Sequence, residues 1–174
     1  MEEPVLPLFL NAKLGLGPAR LGLLFCCGAV ASAILHPIYG RLADRWGGRH
    51  LMITGLVLAA CVLPLMNLTW SYPSTFMFSA LNTVAIAMVI TPSLTFMAEA
   101  VSSAGVGSFG VGYGLYNMAW GAGLLGGPAL AGFLFERLGF ARLTLIWAPA
   151  LLIVSVLLAR VQVQSAPIPL KEPQ

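Results

Sequence analysis

Apolar residues in this chain run in long unbroken blocks separated by short polar or glycine-rich breaks, not in the alternation of a half-buried strand. Five such blocks stand out: 21–39, 51–68, 74–98, 109–135 and 143–159. A helix needs about 20 mostly apolar residues to cross about 30 Å of hydrocarbon. Four blocks meet this easily. The fifth is slightly short, but Arg142 and Arg160 bracket it and can snorkel to the two interfaces. With no water to satisfy backbone groups in a lipid interior, the blocks are expected to be helices. Pro64, Pro92, Pro128 and Pro149 then kink spans that a membrane bundle tolerates. The predicted fold is all-α, a polytopic membrane helix bundle of five complete spans over 21–160. Trp70 and Tyr72 sit where an interfacial aromatic belt would lie.

The two ends read differently. Val5 to Leu10 is apolar but too short for a span or a signal core, and it follows the acidic start Met1-Glu2-Glu3-Pro4. Residues 1–12 are therefore expected to be the end of a truncated transmembrane helix. The tail 161–174, with Pro167, Pro169 and Pro173, is expected to be disordered and cytoplasmic.

Composition supports the lipid reading. Hydrophobic residues make up 59% and charged residues 9%, with a mean hydropathy of +0.90. Soluble domains carry about 25% charged residues, so this surface must face something as apolar as itself. The lipid bilayer is the first expected partner, and a multi-pass location in the plasma (inner) membrane follows. Nine basic residues are spread along the chain without a basic tract interleaved with aromatics, which argues against nucleic acid. Cys26, Cys27 and Cys61 lie inside apolar runs in no ligand spacing, so neither a metal nor a disulfide is predicted. No Ser/His/Asp set or other catalytic constellation is present, and no cofactor or enzymatic activity is expected. Placing the 41–50 turn in the cytoplasm puts Arg41, Arg45, Arg49, Arg160 and Lys171 there, against Lys13, Arg20, Arg137 and Arg142 opposite. That is too even to decide orientation, although the compact arginine cluster favours the cytoplasm.

The sharpest local signal is the stretch 40–50, which packs Arg41, Arg45, Arg49, Asp44 and the glycines 40, 47 and 48 between two spans. Gly40 and Gly47 would allow a tight turn and close helix approach. Asp44, placed about where the next helix begins, is expected to cap it and pair with arginines. On composition alone this is equally a charged connection that anchors topology. The second signal is 110–132, where Gly110/Gly114 and Gly123/Gly127 are GxxxG pairs, followed by Pro128 and Gly132. Such a smooth strip serves close helix packing whatever the function.

These residues carry a resemblance. The stretch 40–49 resembles the Gly-x-Leu-Ala-Asp-Arg-x-Gly-Arg-Arg loop motif of the major facilitator superfamily, matching at Gly40, Leu42, Ala43, Asp44, Arg45, Gly47 and Arg49 and departing at Gly48. In that family the loop is a latch for one alternating-access state, not a substrate site. The run Gly127-Pro128-Ala129-Leu130-Ala131-Gly132, continuing to Gly139-Phe140, is similar to the eleventh helix of drug/proton antiporters and vesicular amine transporters. Glu3-Pro4-Val5-Leu6-Pro7 resembles the end of their seventh helix. The resemblance implies the C-terminal half of a major facilitator fold, lacking most of one helix. An alternative register, with 4–10 as the first helix, leaves too few spans between the loop and the glycine-rich helix.

Intramembrane ionisable groups are functional candidates by default, and this chain has almost none. Glu3 in a completed seventh helix would be a candidate substrate or proton site, with Asn82 and Asn117 as uncharged candidates. Asn117 stands where the amine transporters carry an aspartate, so their amine chemistry does not transfer. His36 beside Pro37 is a titratable candidate, Glu99 is expected to pair with the arginine turn, and Thr83 and Thr91 are expected to line a cavity or bond neighbouring helices. The resemblance implies secondary transport of a small organic solute or drug, with proton-coupled antiport the expected mode. It also implies a partner, either the missing N-terminal half or a second copy. The alternative reading is a membrane scaffold or assembly subunit that does not transport.

Overall fold

The computed structural model describes residues 2–103 and 109–160, with side chains from Val5 to Ser102 and from Phe109 to Arg160. The expected disordered tail 161–174 and the side chain of Glu3 lie outside the described residues. All described elements are helical: α1 (Glu2–Leu14), α2 (Pro18–Trp46), α3 (Gly48–Leu65) with a 3₁₀ turn at Met66–Leu68, α4 (Tyr72–Ser103) and α5 (Phe109–Arg160). At 52 residues α5 would run about 78 Å if straight, more than twice a bilayer core. It is broken at Gly139 (φ 74°, ψ 169°) into two arms, 109–138 and 140–160, so the five predicted spans are present.

Boundaries move outward from the hydropathy blocks. Pro18 supplies the first position of α2, where its missing N–H costs nothing. Gly15, at φ 62°, lets α1 turn into it, and the Asn11 amide donates to the Leu16 carbonyl at 3.0 Å to hold that turn. The stretch 41–46, expected as a loop, is the last part of α2. Only Gly47, at φ 84°, interrupts the helix before α3 starts at Gly48. The physical reason is that a single glycine outside the right-handed region reverses the chain, leaving the polar residues free to continue the helix beyond the hydrocarbon.

Four side-chain hydroxyls within the spans are satisfied on their own helices, which suits a lipid environment. Thr54, Thr83, Ser93 and Ser155 donate to carbonyls three or four residues back on their own helices. Apolar packing gathers at the two ends. Val5, Leu6, Leu10, Leu24, Leu63, Met66, Phe140 and Leu143 form the larger cluster, away from the arginine turn, with the Phe9 and Phe140 rings stacked at 3.9 Å. Tyr39, Ala43, Leu51 and Ala87 form a smaller one beside the turn.

In lipid the hydrophobic effect does not drive helices together, so close backbone approach matters more than in water. The central seam is α3 on α4. A Cβ added to Gly48 would come 2.9 Å from the Pro92 carbonyl oxygen, and one added to Gly55 would come 2.9 Å from that of Ala85. Gly112 is similarly closed off by Val101 and Met97 of α4. The tight glycines are therefore 48, 55 and 112. Gly114, Gly123, Gly127 and Gly132 have nothing within 4 Å of a Cβ, so among the described residues their strip packs against nothing.

This difference is measurable. Gly55→Ala is expected to destabilise the bundle by about 1–3 kcal/mol through overpacking against the Ala85 backbone. Gly114→Ala should be neutral or stabilising by up to about 1 kcal/mol from helix propensity. Unfolding in mixed detergent micelles followed by helicity checks both; equal effects would contradict the seam.

Candidate functional site

Three consecutive residues of α4 each reach a different helix. Thr91 Oγ1 lies 2.6 Å from His36 Nδ1 on α2. The Pro92 carbonyl abuts Gly48 on α3. Ser93 Oγ lies 3.0 Å from the Tyr116 hydroxyl on α5. Because the Ser93 hydroxyl already donates to the Ile90 carbonyl at 2.7 Å, Tyr116 is the donor in the last pair. Pro92 is fully buried at the centre of this node. Lacking an N–H, it leaves the Met88 carbonyl without its helical donor and makes α4 pliable at that point.

The arginine turn is built onto the node. Gly40 sits beneath the Thr91 methyl, 3.8 Å from a would-be Cβ, and Gly48 lies against the Pro92 carbonyl. Both glycines are thus held by the same kink in α4. Gly48, the departure from the family motif, has a local cause: any side chain there would meet that carbonyl. Gly47 donates its N–H to the Ala43 carbonyl at 2.8 Å, closing α2 before the chain turns.

Charges in the turn do not pair as the sequence predicts. Asp44 lies in the final turn of α2, not at the start of α3, so it does not cap α3. It is exposed and, among the described residues, makes no ion pair. Arg45 is exposed in that same turn, where a cation suits the negative end of the helix dipole. Glu99 is exposed on α4 and makes no ion pair among the described residues, so the expected link to the arginine turn is not formed. Arg49 behaves differently. Its Nε donates to the Leu158 carbonyl at 3.1 Å and its Nη2 to the Ala159 carbonyl, so the guanidinium caps the C-terminal end of α5.

The remaining candidates lie apart. Asn82 is buried in α4, about two and a half helical turns from Thr91, at 4% exposure. Asn117 is exposed on the first arm of α5 beside Tyr116, as is Gly110, and Pro128 is half-buried. Glu3 lies outside the described side chains. A cavity of about 420 Å³ opens at the opposite end of the bundle, lined by Phe9, Lys13, Asn67, Phe135 and Phe140. The Lys13 ammonium donates to the Asn67 carbonyl at 2.7 Å, and the Asn67 amide to Thr144 Oγ1 at 2.7 Å. Sequence reasoning anticipated that Thr91 and His36 were polar features of spans. It missed Ser93 with Tyr116, for which an isolated serine among apolar residues gives no spacing signal.

Comparison with known proteins is consistent in direction. Residues 3–174 match the family model described as Major Facilitator Superfamily. MFS-type transporter SLC18B1 of Rattus norvegicus is 28% identical over 161 residues, covering 86% of this chain and 34% of that protein. Multidrug resistance protein 1 of Bacillus subtilis is 26% identical over 156 residues, covering 90% and 39%. Quinolone resistance protein NorA of Staphylococcus aureus is 31% identical over 133 residues, covering 76% and 33%. The chain spans about a third to two-fifths of the length of these relatives.

The Arg49 cap gives a direct expectation. In Arg49→Ala the carbonyls of Leu158 and Ala159 lose their donor, and amide hydrogen exchange in the last turn of α5 should accelerate while the α3–α4 seam stays protected. Unchanged exchange there would show that the guanidinium does not hold that end.

Proposed function

The chain belongs to the Major Facilitator Superfamily, and on that premise we propose that it is half of a secondary transporter that moves a small organic solute or drug by proton-coupled antiport in the plasma (inner) membrane. The observation that carries this reading is the glycine face of the first arm of α5, which meets nothing among the described residues. Gly114, Gly123 and Gly127 face open space there, and Met118 and Leu125 are 72% and 83% exposed. A strip of glycines bordered by large apolar side chains is the surface on which another membrane helix packs closely. Its partner in this reading is an N-terminal half or a second copy of this chain. Substrate would then bind between the two halves near the midplane, and transport would be a rocking of one half against the other.

The arginine turn has a mechanical part in this reading. Seated on the Thr91–Pro92 kink at one end and on α5 through Arg49, it ties α2, α3, α4 and α5 into one body at the side where α2 reverses into α3. A half that rocks as a unit needs such a clamp. Asn117, exposed on α5, is proposed to face the central path, and Glu3 is proposed to take part in proton or cation handling; Asn82, buried within α4, is proposed to bond a neighbouring helix there. The relatives named for multidrug and quinolone resistance support a drug-like, amphipathic solute.

The reading predicts that the purified 174-residue chain in proteoliposomes moves no ethidium across an imposed pH gradient, whereas cells expressing the transporter from its genomic locus extrude ethidium and lose that efflux in Glu3→Gln. Efflux by the chain alone, or full efflux in Glu3→Gln, would contradict it.

A further inference from the structure

We propose that the cavity between α1, the α3–α4 turn and the Gly139 break binds an anionic phospholipid: the Lys13 ammonium holds the phosphodiester, and the phenylalanines hold the glycerol and the first carbons of the chains. The proposal goes beyond the transport reading and does not depend on what the transporter carries.

The site lies at headgroup depth. Its walls come from three places where spans end: Phe9 and Lys13 near the end of α1, Asn67 in the 3₁₀ turn between α3 and α4, and Phe135, Gly139 and Phe140 about the break in α5. Trp70, three residues from Asn67, is exposed at the same end, where interfacial aromatics belong. The cavity holds about 420 Å³, within the range of about 300–1,000 Å³ usual for small-molecule sites. The Phe9 and Phe140 rings, stacked at 3.9 Å, form one apolar wall. Gly139 adds backbone without a side chain, with open space where a Cβ would be. One helical turn deeper than Ala12 of the cavity wall, Leu8 is exposed and gives an acyl chain an apolar track toward the bilayer centre.

The donors suit one phosphodiester. Lys13 carries three N–H groups. One goes to the Asn67 carbonyl at 2.7 Å, and the ammonium also lies 5.2 Å from the centre of the Phe9 ring. These contacts fix the ammonium at the cavity wall and leave two N–H groups to spare. Lys13 makes no ion pair among the described residues. The Asn67 side-chain amide does not compete for the ligand, because it already donates to the Pro64 carbonyl at 3.0 Å and to Thr144 Oγ1 at 2.7 Å. One cation with two free donors matches the two unesterified oxygens and the single charge of a phosphodiester. A free phosphate would turn its further oxygens toward phenylalanine rings, which donate nothing.

Charge around the cavity selects an anionic lipid over a zwitterionic one. At this end of the bundle the described side chains include four cations, Lys13, Arg20, Arg137 and Arg142, and one carboxylate, Glu136. Arg137 and Arg142 flank Gly139 at two and three residues, and Arg137 lies 5.2 Å from the centre of the Phe133 ring. Among the described residues none of these cations is ion-paired. A trimethylammonium headgroup would bring a further cation into this rim, whereas a glycerol headgroup brings none. Seated there, the lipid bridges α1 and both arms of α5 at the break.

The test is native mass spectrometry of the full chain in nonionic detergent, with equal amounts of phosphatidylglycerol and phosphatidylcholine of different acyl mass. The chain should retain one phosphatidylglycerol in about five-fold preference over phosphatidylcholine. Lys13→Gln should remove that preference and Lys13→Arg should keep it. Ala141→Trp fills the cavity while leaving Lys13 and Asn67 in place. It should also remove the preference, with helicity unchanged, so the outcome does not hang on the Lys13–Asn67 contact. Arg45→Gln, in the arginine turn at the far end, should change nothing. Equal retention of the two lipids overturns the proposal, as does a preference that survives Lys13→Gln or Ala141→Trp, or one lost in Arg45→Gln. Displacement of the lipid by an equal concentration of glycerol 1-phosphate also overturns it, by revealing a site for a free phosphate.

Discussion

The bundle depends on one short segment of α4, Thr91-Pro92-Ser93, where a hydroxyl, a carbonyl and a second hydroxyl each meet a different helix. Lipid gives helices little reason to associate except close packing and buried polar bonds. This segment supplies both. Its proline brings the α4 backbone against Gly48, and the residues on either side make two of the side-chain links between spans. The rest of the architecture is arranged around that contact: α3 crosses α4 on Gly48 and Gly55, α2 lies alongside through Gly28 and His36, and the first arm of α5 joins through Gly112 and Tyr116.

A bonded node here lies next to two proline-weakened points. Prolines at 37 and 92 weaken their helices at one level, while the bond between their neighbours keeps the two kinks in step. The arginine turn is itself held on two sides. Its glycines are gripped by α4, and its final arginine holds the end of α5. Asp44 and Arg45 remain exposed at the rim.

Much of this was legible in the residues. Five apolar blocks gave five spans, because the thickness of hydrocarbon sets a length that few other folds share. The motif at 40–49 pointed to the right family. Details failed where local geometry outweighs pattern. The residues 41–46 read as a loop because they are polar, yet polarity says only that they leave the lipid, and the helix continues. The GxxxG pairs at 110–127 read as a packing strip, but spacing cannot tell which partner a strip meets. The glycines closed within this chain, 48, 55 and 112, follow no such spacing and show only when helices are placed together. Ser93 was illegible for the same reason.

The most direct measurement is disulfide formation between cysteines placed at Gly40 and Thr91, with Cys26, Cys27 and Cys61 replaced by alanine, in a lipid bilayer under mild oxidation. A would-be Cβ on Gly40 lies 3.8 Å from the Thr91 methyl carbon, the place a cysteine sulfur at 91 can take, so the two thiols can meet with little movement of the helices. Rapid, near-complete cross-linking is the result this account predicts. Two free thiols that fail to join in the folded, lipid-embedded protein would show that the turn is not seated on the kink of α4.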